Sequence, residues 1–276
     1  VLAAVVERGA RVHDEARITR LGRGVDASRC LRDDAIDRTI DAVRDLAAGA
    51  RALGAERVVG VGTSALRDAA NRDVFVERAR AILDAFDVID GAREAALTLR
   101  GALFGLPEVT APVTVVDIGG GSTEIVRGVR SVVSVATSID VGSVRLTERH
   151  GSSLVAMRAE IADAMRAVSI ELPLVLVAGT ATNVAAVALG RDLARGAPSP
   201  HGATISSIDL RRAIARITTA TPDERRTMIG IEHGREDVIA AGALIVEHVL
   251  DRSNATEVTI SDGGVRFGLA LELLDA

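Results

Sequence analysis

Residues Val113 to Arg127 read VTVVDIGGGSTEIVR. A β-branched run ends in Asp117, the glycines Gly119, Gly120 and Gly121 follow, and Ser122, Thr123 and Glu124 precede a second apolar run. Three consecutive glycines let the backbone reach φ > 0 and strip every Cβ from one wall, so that successive N–H groups can converge on an anion. The stretch therefore reads as a phosphate cradle. A P-loop would carry a Lys after its glycines and then a helix, whereas this loop has no Lys and runs into EIVRGVRSVVSVATSI, whose Val and Ile content predicts strands. Dinucleotide-binding glycines also open a helix, so that fold is disfavoured too. What remains is a strand, glycine loop, strand hairpin. Asp117 and Glu124 bracket the loop with two carboxylates, the ligand type that Mg²⁺ takes beside phosphate oxygens. The plain alternative is a tight turn flanked by two solvated acids.

At 276 residues the chain has room for two domains, expected at 1–110 and 111–276, with Pro107, Thr110 and Pro112 in the linker. There are four Phe and no Trp or Tyr, so aliphatic cores are expected and stacking of bases on aromatic platforms is not the expected binding mode. All 33 Lys/Arg positions are Arg, which removes lysine Schiff-base chemistry and leaves many bidentate phosphate ligands. A net charge of −5 without an arginine-rich block argues against nucleic acid as a partner. Cys30 is the only cysteine, which excludes a disulfide framework or zinc spacing; it is expected to be a small buried filler. No apolar run approaches ~20 residues and no leader pattern opens the sequence, so neither a membrane span nor a signal peptide is expected, and a cytoplasmic location is the default.

The rest of the chain is expected to alternate strands with helices, a pattern that predicts a mostly parallel or mixed sheet covered by helices. Val1–Arg8 and Ala10–Leu21 read as a strand pair around an R-G-A turn, and Asp33–Leu53 as a helix closed by Gly54. The segment 57–73 reads as a buried strand and a polar turn carrying Arg67, followed by a helix over Val74–Ala85. Arg67 by itself is an even choice between a site residue and a surface charge. After a short strand, DGAREAALTLRGALFG predicts a helix with Glu94 in its first turn. In the second half Leu174–Val177 reads as a strand, then AGTATN as a small polar loop with Gly179, Thr180, Ala181 and Thr182, before a helix over Val184–Leu189. Free N–H groups at that helix start suit a second anion. Thr221, Pro222 and Glu224 form a capping box, a helix is expected over Arg235–Val249, and SDGG at 261–264 lies between a strand end and a helix start.

With TSALRDAANR at 63–72, DIGGGSTE at 117–124, VGSVRLTE at 141–148, GTAT at 179–182 and SDGGVRFG at 261–268, the chain resembles the exopolyphosphatase and guanosine pentaphosphate phosphohydrolase family over essentially its whole length. The resemblance implies an α/β, two-lobed fold of the actin, hexokinase and heat-shock-chaperone type, ribonuclease H-like in topology, with a central cleft between the lobes. It implies Mg²⁺-assisted release of terminal phosphate from polyphosphate or pppGpp, and a homodimer. By position, Asp117 and Glu124 look like the acids that hold Mg²⁺ and the attacking water. Gly119, Gly120, Gly121, Ser122 and Thr123 look like one phosphate loop, and Gly179, Thr180, Ala181 and Thr182 like another. Arg67 resembles a phosphate-contacting arginine, and Glu94 the acid of the family's S-G-x-E-E-A-R-L segment that serves as general base.

This chain departs from the pattern in two places. Arg93 replaces the first acid of that segment and Ala96 its arginine, so Arg93 is expected to weaken Glu94 as a base. The family's opening strand and D-x-G-[ST]-N-S loop have no counterpart in the sequence, so the first strand of the first lobe is expected to be missing, in a fragment or a reduced relative. Three readings remain: a phosphohydrolase, a catalytically impaired phosphate or nucleotide sensor of the same fold, and, last, a small-molecule kinase, for which no acceptor or adenosine signature is found.

Overall fold

The computed structural model describes residues 2–275, with side chains from residue 3 to 275. Its contacts divide the chain into two compact units, one running to Glu94 and resuming at Leu269, the other spanning Ala95–Gly268.

In the first unit β1 (Leu2–Glu7) and β2 (Ala10–Ala16) pair antiparallel. Arg8 and Gly9 between them both have positive φ, 50° and 77°, the conformation whose twist matches a two-residue hairpin. After α1 (Val25–Ser28), α2 (Asp33–Ala52) buries Ile36, Ile40 and Val43, spaced along one helical face as the sequence pattern predicts, and Gly54 at φ 89° ends it. Those side chains pack with Leu66 of α3 (Ser64–Asp68), Phe75 and Val76 of α4 (Arg72–Arg80) and Phe86 of β4 (Ala85–Val88), which runs parallel to β3 (Val59–Gly62).

The structure corrects the sequence reading of this unit in three respects. The polar turn after β3 contains the short helix α3, because Leu66 is drawn into the core, and α4 starts at Arg72 and ends at Arg80 instead of spanning 74–85. Among the described residues the strands form two separate two-stranded sheets, not one mixed sheet, and β2 has no fully buried residue. Cys30 is exposed, since a turn closed by the Ser28 hydroxyl, which bonds both its N–H and its C=O, holds it out.

In the second unit the strands β5 (Val113–Ile118), β6 (Thr123–Val129), β7 (Val132–Ile139), β8 (Leu174–Val177), β9 (Thr204–Ser206) and β10 (Glu257–Ile260) form one sheet in the order β7-β6-β5-β8-β10-β9. The β5–β8 and β8–β10 pairs are parallel and the rest antiparallel. A two-residue period sorts its side chains. Val116, Ile118, Ile125, Leu174 and Leu176 enter a core with α6 (Ser143–His150), α7 (Leu154–Ala164), α8 (Ala178–Leu189), α9 (Ser207–Thr219) and α11 (Ile239–Ser253). Val113, Val115, Val126, Val175 and Val177 enter another with Ala95, Leu99 and Ala102 of α5 (Gly91–Leu103). That packing explains why the boundary falls inside α5 and not in the proline linker near residue 110: the apolar face of α5 belongs to the second sheet. The Thr221 capping box opens α10 (Pro222–Arg226) as read from sequence. No helix among the described residues is long and apolar enough to cross a membrane.

The start of α12 (Val265–Asp275) meets α5 backbone to backbone. A Cβ on Gly101 would lie 1.9 Å from the Gly264 carbonyl oxygen, and one on Gly268 would lie 2.0 Å from that of Leu97. Gly101→Ala is therefore expected to destabilise the protein by about 1–3 kcal/mol or more, because backbone has to move. Gly49→Ala, on an open face of α2, should instead stabilise by about 0.4–1 kcal/mol. Urea unfolding of both variants checks the pair.

Candidate active site

The glycine loop is a hairpin turn closed by the Gly119 amide, which donates to the Ser122 carbonyl at 3.0 Å. Contrary to the sequence expectation, neither Gly119 nor Gly120 adopts a left-handed conformation. Glycine is required for room. A Cβ on Gly120 would sit 3.2 Å from Val144 Cγ2, and one on Gly142 would sit 2.4 Å from the Gly120 carbonyl oxygen. The first turn of α6 thus docks directly on the loop. The Ser143 amide and hydroxyl donate to the Gly119 carbonyl at 3.0 and 3.2 Å, and the amides of Val144 and Arg145 donate to Gly120 at 2.8 and 3.0 Å. Arg145 Nε donates to the Gly121 carbonyl at 2.6 Å. In a trans peptide the C=O and the following N–H point in opposite directions. With all three carbonyls turned towards α6, the amides of Gly120, Gly121 and Ser122 face the other way as a set, which is the geometry of an anion nest. The Thr123 hydroxyl is not part of that set: it is fully buried and donates to the Val141 carbonyl at 2.7 Å.

Asp117 and Glu124 are direct cross-strand partners, so their side chains share one face of the sheet, the face that also carries Val115 and Val126. Glu124 is buried and its Oε1 accepts from the Ser138 hydroxyl on β7 at 2.8 Å. Beside Asp117 lies the SDGG turn: a Cβ on Gly264, which has φ 153°, would be 3.8 Å from Asp117 Oδ2. The turn is held by His201, whose Nδ1 is 3.0 Å from Asp262 Oδ1. No cluster of three or more metal-ligating side chains occurs among the described residues. Asp117 and Glu124 supply two carboxylates on one face, oxygen donors of the type that hard divalent cations take alongside water and substrate oxygens.

The sequence Gly179–Thr182 is not a loop but the first turn of α8, which starts at Ala178 directly after β8. Ala178 holds φ 69°, a left-handed value rare for a residue with a Cβ, and this sharp corner brings the helix start to the strand end. Thr180 and Ala181 point into the core, Thr180 against Gly242 of α11, so their side chains do not face an anion there. The Thr182 hydroxyl donates back to the Gly179 carbonyl at 3.2 Å. The amides of the first turn remain as the group that lacks an intrahelical acceptor. Over them lies Arg235, close enough that a Cβ on Gly179 would be 2.1 Å from its Nη2. The sequence pattern placed Arg235 inside a helix; α11 begins only at Ile239, and Arg235 is held by Glu232, which accepts from Arg235 Nε at 2.9 Å and from Asn183 at 2.8 Å.

In the first unit Arg67 and Glu94 meet. Arg67 Nη1 donates to Glu94 Oε2 at 2.5 Å and to the Ile89 carbonyl at 3.1 Å. Glu94 is 6% exposed, so it is no surface acid. Arg93, expected to disturb Glu94, instead pairs with Glu272. The structure thus assembles Asp117, Glu124 and the glycine loop in one unit, and Arg67 with Glu94 in the other. Arg145, Arg235, Gly142 and His201 escaped sequence reasoning; the only sequence signal for Arg145 was its place in the VGSVRLTE motif.

Gly142→Ala places a methyl against the Gly120 carbonyl and is expected to turn the loop amides. Calorimetric titration with tripolyphosphate should show affinity reduced roughly tenfold, the value of one charge-assisted hydrogen bond, while thermal unfolding remains cooperative.

Comparison with known proteins identifies the family of the chain. The chain is 39% identical over 285 residues to a protein named exopolyphosphatase 2 from Mycobacterium tuberculosis, covering 95% of this chain and 89% of that one. It is 28% identical to the guanosine-5'-triphosphate,3'-diphosphate pyrophosphatase of Vibrio atlanticus, covering 94% of this chain and 53% of the relative. The crystal structure of an exopolyphosphatase-like protein superposes with a TM-score of 0.84 at 29% identity, over 99% of this chain and 94% of the other. The model of the Ppx/GppA phosphatase family matches residues 1–276, and the chain belongs to that family.

Proposed function

We propose that the protein is a phosphohydrolase that removes the terminal phosphate of inorganic polyphosphate as inorganic phosphate, with pppGpp as the alternative substrate. The observation that carries this reading is the set of three loop amides, Gly120, Gly121 and Ser122, turned away from α6 beside two carboxylates. Polyphosphate is placed first because the relative that shares 39% identity is named for it. In this reading the loop amides bind the oxygens of the terminal phosphate, and Arg235 with the first-turn amides of α8 holds a neighbouring phosphate. Asp117 and Glu124 hold Mg²⁺, which when bound would neutralise charge on the phosphate oxygens. Arg67 contacts phosphate, and Glu94 accepts the proton of the attacking water. The water oxygen adds to the terminal phosphorus as its bond to the bridging oxygen breaks; the shortened chain leaves as an anion with that oxygen, and the terminal group is released as inorganic phosphate.

Glu94→Gln keeps the shape of the side chain and removes its basicity, so phosphate release from tripolyphosphate is expected to fall about 10²–10⁴-fold while tripolyphosphate binding persists. Asp117→Asn should abolish the dependence of tripolyphosphate affinity on Mg²⁺, read by titration calorimetry with and without the metal. The 2.5 Å ion pair between Arg67 and Glu94 favours a second reading, a sensor that binds phosphate without turnover, because the carboxylate oxygen that would take the proton of water is already engaged by the guanidinium. Binding of tripolyphosphate with no release of phosphate by the folded wild-type chain would select it.

A further inference from the structure

Arg145 is one of the few charged residues among those described that are nine-tenths buried, and its Nε reaches the glycine loop. Its Nε donates to the Gly121 carbonyl at 2.6 Å, and its Nη2 lies 3.9 Å from Asp140 Oδ1, on a side chain that is 81% exposed. Burying a guanidinium is costly unless its surroundings use it. The other buried arginine among the described residues shows the contrast. Arg225, equally buried, bonds the Ile217 carbonyl of α9 and the Glu236 carbonyl of the turn before α11, neither of them in the glycine loop. Arg145 Nε is directed at a carbonyl of the anion nest.

We propose that Arg145 is a positioning residue for the phosphate-binding loop. By fixing the Gly121 carbonyl on the α6 side, it forces the Ser122 amide, which belongs to the same peptide, to the anion side. The backbone amides of Ser143, Val144 and Arg145 do the same for the two preceding peptides, but the third carbonyl lies beyond their reach and is held by this side chain. The guanidinium also sets a positive charge behind the nest, on the side opposite the bound anion, where low polarisability lets it act over a greater distance than in water. A side chain that only filled space would contribute to stability and leave affinity alone. This assignment rests on the glycine loop being the phosphate site.

The test compares wild type with Arg145→Gln and Arg145→Lys, measuring KM and kcat for tripolyphosphate, the inhibition constant of inorganic phosphate, and thermal unfolding. For Arg145→Gln, KM and the inhibition constant are expected to rise together by roughly 10-fold or more, with a smaller change in kcat. Arg145→Lys retains the charge without the Nε donor and should raise both by an intermediate factor; it also serves if the Gln variant does not fold. Both constants within about twofold of wild type in a folded variant would overturn the proposal, as would a lowered unfolding temperature with kinetics unchanged. A wild-type chain that neither hydrolyses tripolyphosphate nor binds inorganic phosphate would instead defeat the reading of the loop itself, and this assignment with it.

Discussion

A planar trans peptide cannot turn its carbonyl and its amide to the same side, and the second unit is built on that restriction. Three amides can be presented to an anion only if three carbonyls find donors behind them. The donors come from α6, whose first turn carries amides without intrahelical acceptors, so one set of unsatisfied groups cancels the other. The close approach this requires explains why both partners are glycine-rich at the contact, Gly120 on the loop and Gly142 at the cap of α6. The sheet sets the distance. Asp117 and Glu124 end up abreast because the β5–β6 register places them opposite one another immediately before and after the turn.

An anion nest and two carboxylates on adjoining residues are electrostatically at odds. Bringing a polyanion to the loop sets it against Asp117 and Glu124, and that repulsion is relieved only by a counter-charge. The same tension appears in the first unit with the signs reversed: Arg67, a cation suited to phosphate, is already satisfied by Glu94 at 2.5 Å. At the start of α8, Arg235 is shared with Glu232. In each place the cation or anion is kept with a partner of opposite sign, which keeps buried charge affordable in the absence of a polyanion.

Much of this was legible in the sequence, and the reasons for success and failure are local. The β5–glycine–β6 hairpin could be read because β-branched residues and glycines act within a few positions of one another, and the Thr221 capping box for the same reason. The helix α2 could be read from the spacing of Ile36, Ile40 and Val43. Where tertiary contact overrode local preference, reading failed. Gly179 and Thr180 are weak helix formers, yet Thr180 packs on Gly242 and draws the segment into α8. Arg93 was judged by its neighbour Glu94, whereas its partner Glu272 is 179 residues away. Arg145 and Gly121, and Arg235 and Gly179, are likewise pairings that no spacing rule connects. Cys30 was read from the general burial of free cysteine, and a single hydroxyl-closed turn reversed the outcome.

The exposed thiol of Cys30 has a further consequence when joined to the composition. The sequence has one cysteine and neither Trp nor Tyr, so a dye attached there would be at a single defined position and would report against almost no intrinsic near-ultraviolet emission. Cys30 lies one residue before Leu31, whose amide is held by the Asn71 side chain at 2.7 Å between α3 and α4. A fluorophore at that position would sense the polarity of the segment following Arg67, giving the first unit an optical signal of its own without any change to the amino-acid sequence.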